Sequence, residues 1–461
     1  MAPAGCGKTE LIVRAVRAMS GGRALVLTHT HAGVKALRDR MKRLGGGHDR
    51  DRVQVETIAG WCLRYAAAYP ASSRLSTKQP VKGQWNAVYD AALELLDRRA
   101  IRAVVGATYA RTFVDEYQDC TPRQHEIVEK LAGIVPTCVL GDPLQGIFGF
   151  AGGNLSWSDT VERAFEPLGT LDVPWRWRGK NDALGEWLLA IRPALLRGDR
   201  IDLSNAPIVW RLATPENQRR EAFALLKSEG QIIAIRKWPS DAHAFARNVG
   251  GVFSSMEEMD CNDLLRFADD IDRLTGYARS ARVLRFAAEC WTEVGAGLDA
   301  LQRALDDGRT PGLRSEKLRP ISNAFAKAAT TDDWGDIGHA MKSVDLIPDA
   351  RLFRRELWRE AIKAVAEVAR GTRPSLRETA WQIRNRLRFS GRPVEPRSVS
   401  RTLLIKGLEF DHALVLDANE FENSKQPGDG ARHFYVAVTR GARSLTVLSQ
   451  QQGVRFSVPT V

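Results

Sequence analysis

Two rhythms of apolar and polar residues alternate along this chain. From residue 1 to about 168, the short apolar runs "RALVLT", "VQVET", "RTFVDE" and "PTCVLGD" are interleaved with stretches in which apolar positions recur every three or four residues. Each run closes on a polar residue, where a strand would pass into a loop. Such alternation predicts a parallel sheet with crossover helices. Between about 63 and 108, "QWNAVYDAALELLDRR" keeps the helical spacing with no strand after it, which predicts a short helical insertion. A second strand-bearing zone runs from "GTLDVP" near 169 to "GQIIAIRKW" near 238. From about 245 to 392 the pattern is almost wholly helical, with stretches such as "LLRFADDIDRL" and "ELWREAIKAVAEVARG", before strands resume with "RTLLI", "HALVLD" and "SLTVLS". The reading is α/β: a first lobe over 1–168, a second over 169–245 plus 393–461, and a helical domain over 246–392 inserted into the second.

Bulk properties narrow the picture. A chain of 461 residues exceeds what one core usually serves, and 44% hydrophobic residues suffice for several. The 67 basic residues outnumber the 55 acidic ones, giving a net charge of +12 that favours a polyanionic partner, although a solvated arginine-rich surface would look the same. Cys6, Cys62, Cys120, Cys138, Cys261 and Cys290 form no C-x-x-C pair, which argues against a zinc site or disulfide framework and predicts reduced thiols in a cytoplasmic protein. No stretch approaches the roughly 18 apolar residues of a membrane span, and no signal-peptide core is present at the start.

Candidate chemistry begins at the first residues. "APAGCGKT" fits the phosphate-binding pattern G-x-x-x-x-G-K-[ST], except that Ala2 replaces the leading glycine. Gly5, Cys6 and Gly7 would supply the backbone cradle, Lys8 the phosphate cation and Thr9 a hydroxyl for Mg²⁺. An ordinary glycine-rich turn is the alternative. "RTFVDEYQD" places Asp115 and Glu116 at the end of a hydrophobic strand, where the first can hold Mg²⁺ and the second can orient or deprotonate water. Alone these acids could simply cap the next helix; with Lys8 and Thr9 they suit nucleoside triphosphate hydrolysis.

The motifs "APAGCGKT", "LTHTHAGVKALRDRM", "VETIAGWCLRYA", "VDEYQDCTPRQ", "LGDPLQGIFGF", "PWRW", "IKGLEFDHALVL" and "FYVAVTRGA" follow one another in the order of a known family. In this the chain resembles the UvrD/Rep-like superfamily 1 helicases. The resemblance implies two RecA-like P-loop lobes with helical insertions in each, and ATP with Mg²⁺ as ligands. By position, it implies that Lys8 and Thr9 bind phosphates and Mg²⁺, Asp115 helps to hold the metal, and Glu116 activates water. Gln145 would sense the γ-phosphate beside Asp142, Arg176 and Arg440 would act as arginine fingers, and Glu409 would lie at the nucleotide interface. The implied activity is an ATP-dependent DNA helicase or translocase moving 3′ to 5′, with single-stranded or tailed duplex DNA as partner. A different class remains open: a DNA-binding or regulatory subunit, without turnover, of a repair or anti-phage system.

Contacts to the strand would come from aromatic side chains that stack on bases without reading sequence. Phe148 and Phe150 follow Gln145, in a region where the family stacks bases; Trp175, Trp177 and Arg178 lie in "PWRWRGK". "THTHAGV" resembles the family's "TFTNKAA", which implies that His29 and His31 touch the DNA backbone; their H-x-H spacing lacks the third ligand a zinc site needs. The chain departs from the family at Leu403, where relatives have histidine, and at Ala151, where many have arginine. Relatives also carry a strand and an adenine-recognising glutamine upstream of the loop, so the expectation is of a truncated N-terminus or a start codon chosen too late.

Overall fold

A computed structural model describes residues 1–44, 52–75, 80, 83–148, 155–258, 260–310, 315–390, 394–424 and 426–458. Phe150 and Ala151 lie outside the described residues. The chain divides into two compact units: an outer one, Met1–Ala213 with Lys406–Val461, and a middle one, Thr214–Ile405.

In the outer unit, helix α1 (Lys8–Arg17) leads to strand β1 (Ala24–Thr28), helix α2 (His31–Leu44), strand β2 (Val53–Thr57) and helix α3 (Ile58–Ala68). Helices Trp85–Asp97 and Arg99–Thr108 then precede β3 (Arg111–Val114), and helix Pro122–Ala132 precedes β4 (Thr137–Val139). The strands form a parallel sheet in the order β2-β1-β3-β4, with Val26 opposite both Val55 and Phe113. All five residues of β1 are buried, as expected of a parallel strand covered on both faces. Local signals set the helix starts. Thr57 caps α3 by accepting from the Gly60 amide, and Thr121 and Gln124 form a reciprocal capping box with proline at the first turn. Later in the same unit, strands Val209–Leu212, Gly441–Ser449 and Phe410–Val415 pair side by side in parallel.

The middle unit holds a smaller parallel set, in which Arg397–Arg401 pairs with both Ile232–Arg236 and Ser254–Ser255. Most of it is helical, from Asn262–Arg273 to Leu376–Ser390, around an aromatic core in which the Phe267 and Phe286 rings stack 3.8 Å apart. These observations make the protein α/β, with parallel sheets flanked by helices.

Two strand expectations are corrected. "GTLDVP" forms no strand: Gly169 has φ +128° and Leu168 is 87% exposed, while Pro174 offers no amide for a ladder. "RTLLI" ends a strand rather than forming one, since the ladder covers Arg397–Arg401 and Thr402–Ile405 turns helical. No described helix is long and apolar enough to cross a membrane.

Candidate functional site

The loop before α1 is shaped by two glycines in the left-handed region, Gly5 at φ +71° and Gly7 at φ +85°. A Cβ on Gly5 would lie 2.4 Å from the Trp177 ring. The loop is also held from outside: Ala2 N–H donates to the Gly141 carbonyl (2.9 Å), the Met1 ammonium to Gly169 (2.6 Å), and Arg176 N–H to the Gly5 carbonyl (3.1 Å). Gly7 caps α1, so the helix N-terminus with its free amides opens where the loop ends. Cys6 is buried, its thiol pushed up to about 11 by burial, so only its backbone can serve a ligand.

Lys8 projects from the first turn of α1 and its Nζ lies 2.9 Å from Glu116 Oε1. Glu116 itself takes φ +56°, a strained conformation for a residue with a side chain, two residues past the end of β3. Burial opposes the charge on both partners. For Lys8 the carboxylates of Glu116, Asp115 and Asp142 outweigh it and raise the pKa; for Glu116 the Lys8 and Lys406 ammonium groups outweigh it and hold the carboxyl below its usual range. Asp115 moves the other way, raised by burial and by the Glu116 charge. Two adjacent carboxylates thus differ in proton affinity.

Gln145 is buried, its Nε2 donating to Asp142 Oδ2 at 2.9 Å, and its carbonyl accepts from Lys406 Nζ at 2.5 Å. Arg176 donates to the Thr439 carbonyl (2.6 Å) and to Glu409 Oε1 (2.7 Å). Arg440 is 1% exposed and engages the Val436 and Leu408 carbonyls and Thr439 Oγ1. Burial, with Arg176 nearby, pulls its pKa down to about 9. Gly5, Gly7, Lys8, Thr9, Glu116, Gln145, Arg176, Glu409 and Arg440 line one open cleft of about 500 Å³ inside the outer unit, a size suited to a nucleotide. Asp115 lies beneath it, 6% exposed and accepting the Glu116 amide.

The residues expected to meet DNA are less uniform. Phe148 is half-buried with Lys406 Nζ 4.8 Å from its ring centre, and Phe150 lies outside the described residues. His31 is exposed at the start of α2. His29 turns inward, with Nε2 3.5 Å from Cys120 Sγ and its pKa pushed down to about 4 by burial and by Lys406, so at neutral pH it offers DNA no positive charge. Trp177 is 1% exposed, donates to the Gly441 carbonyl (2.7 Å) and belongs to the core, whereas Trp175 is 54% exposed on the wall of the cleft beside Gly7. Among the described residues, neither histidine lies in a group of three or more His, Cys or acid side chains. Among the described residues, the His, Cys and acid side chains close enough to share a cation are His243, Glu257 and Asp263 in the middle unit, and the Arg354 guanidinium already bridges both acids.

Several participants carried no assigned role in the sequence reading. Gln118 donates to Glu116 Oε2 (2.5 Å), and Lys406 pairs with Asp119 (2.5 Å); both lie within quoted motifs, which was the available signal. Lys180, Arg40 and Arg43 add positive charge to the cleft wall. Arg192, bidentate to Asp142, had no signal at all, because "LAIRPALLR" reads only as a helix start.

No curated protein matches the chain significantly. The family model for the UvrD/REP helicase N-terminal domain matches residues 76–166, the segment that carries "DEYQD" and "GDPLQ". That segment of the chain is therefore similar to the N-terminal domain of UvrD-like helicases, and the match supports a UvrD-like helicase family.

Proposed function

We propose that this protein is an ATP-dependent DNA helicase or translocase that couples hydrolysis to 3′-5′ movement on single-stranded DNA. The observation that carries the reading is the convergence of Lys8, Glu116, Gln145, Arg176 and Arg440 on one cleft at a helix N-terminus. Direction of movement rests on the family resemblance alone.

The residues present suit ATP with Mg²⁺. Gly5 and Gly7 leave a cradle that side chains would fill, and the Thr9 hydroxyl and the Asp115 carboxylate are hard-oxygen donors appropriate to Mg²⁺. Bound there, the ion neutralises charge on the phosphates. Lys8 would exchange its partner Glu116 for phosphate. Released from that ammonium, the Glu116 carboxylate regains basicity and can take a proton from attacking water, while Gln145 orients the reacting group. Arg176 and Arg440, carried by segments remote in sequence from the loop, would stabilise the charge that accumulates on the transferred phosphoryl group. Loss of the γ-phosphate removes their common partner, and such a released contact can drive a step along DNA.

The test is ATP turnover with and without single-stranded DNA, with Glu116→Gln as the blank. DNA-stimulated turnover above the blank is expected, and its absence would favour the subunit without turnover. Unwinding of duplexes with 3′ tails but not 5′ tails is expected; equal use of both would contradict the polarity.

A further inference from the structure

Arg192 opens the short helix Arg192–Arg197 and is 8% exposed. Its Nη1 donates to Asp142 Oδ2 and its Nη2 to Asp142 Oδ1, each at 2.8 Å, and Nη1 also donates to the Tyr435 hydroxyl at 2.8 Å. Asp142, fully buried, uses the same two oxygens to accept the Ala4 amide (3.2 Å), the Gln145 side-chain amide (2.9 Å) and the Leu144 amide (3.2 Å). Through its own N–H it reaches Gln118 Oε1 (2.9 Å), and Gln118 in turn donates to Glu116.

We propose that Arg192 is a positioning residue for the nucleotide site, acting through Asp142 to set the phosphate loop and Gln145 together. A planar fork fixes the plane of the carboxylate it grips, and the remaining lone pairs then point in defined directions. Here those directions lead to Ala4 at the start of the phosphate loop and to the amide of Gln145. A single point charge would neutralise Asp142 and leave its plane free. Tyr435 lies on the helix Asp429–Val438, just before Thr439 and Arg440, so one guanidinium ties the loop to the segment that carries Arg440. The role rests on the proposed function where turnover is concerned; the ordering of the loop does not.

Hydrogen exchange followed by mass spectrometry separates the two. Arg192→Lys, which keeps the charge but loses the fork, should speed exchange in the segments 1–9 and 142–148 by about tenfold or more, with helix Asn262–Arg273 unchanged as reference. Where turnover is measurable, KM for nucleotide should rise more than kcat falls. The neutral pair Arg192→Gln with Asp142→Asn, which leaves no buried unpaired charge, should show the same local acceleration. Wild-type exchange rates in the loop of either folded variant would overturn the proposal, as would unfolding of both variants in all segments together, which would make Arg192 a general core residue. An inactive wild type would sink the proposed function while leaving the exchange result to judge Arg192.

Discussion

Lys8 and Glu116, 108 positions apart, form an ion pair of 2.9 Å at the mouth of the glycine-rich loop. The pair places the proposed phosphate cation and the proposed base in mutual custody until a ligand separates them. Glu116→Gln should therefore leave nucleotide binding intact or tighter, because Lys8 loses a competing anion, while turnover falls about 10²–10⁴-fold. Titration of a fluorescent nucleotide beside steady-state hydrolysis checks both halves, and a parallel loss of binding would contradict the exchange of partners.

The two loop glycines should differ in tolerance. Gly5→Ala places a methyl 2.4 Å from the buried Trp177 ring at φ +71°, whereas at Gly7 the nearest atom is 3.3 Å away on exposed Trp175. Overpacking and backbone strain together cost about 2 kcal/mol or more at Gly5. Thermal unfolding should show a larger loss for Gly5→Ala than for Gly7→Ala; the reverse order would mean that the Trp177 contact is not rigid.

Arg176 donates to Thr439 and Glu409 with its guanidinium facing the cleft. As a proposed arginine finger it should be poorly replaced by lysine, which lacks the fork. Arg176→Ala is expected to lower kcat by about 10³-fold or more, with Arg176→Lys recovering little of it and nucleotide affinity changing far less. Full activity of Arg176→Lys would remove it from that role.

His29 sets a pH dependence. Its folded pKa of about 4 lies below the ordinary histidine value of 6.5, so between those limits the unfolded chain binds a proton that the folded one refuses. Stability contributed through His29 is complete above about 6.5 and declines as pH falls toward 4. In denaturant unfolding, wild type should lose stability over this window relative to His29→Gln. A difference between the two that stays constant with pH would show that His29 titrates alike in the folded and unfolded chain, with no depressed pKa.

Motifs were legible where the chemistry sits on contiguous backbone. A phosphate loop needs its glycines, lysine and threonine within a few residues, and the Asp115–Glu116 pair needs only a strand end, so short-range spacing suffices to name them. The tryptophans show the limit. Trp175 and Trp177 are equivalent in "PWRW", and only the packing of Trp177 against Gly5 and Gly441 separates a core ring from a cleft wall. His29 likewise reads as a surface contact until the inward turn toward Cys120 is seen.

By itself the sequence determined much of the alternation of strands and helices, the glycine-rich turn that opens α1 and the adjacent acids that follow β3, because period, caps and turn residues act over a few positions. The tertiary structure alone decided that "GTLDVP" leaves the sheet, that Lys8 rests on Glu116, and that Arg192 grips Asp142. Those outcomes depend on which distant segments the parallel topology brings into register, and a buried charge chooses its partner only once burial has removed the water that would otherwise satisfy it.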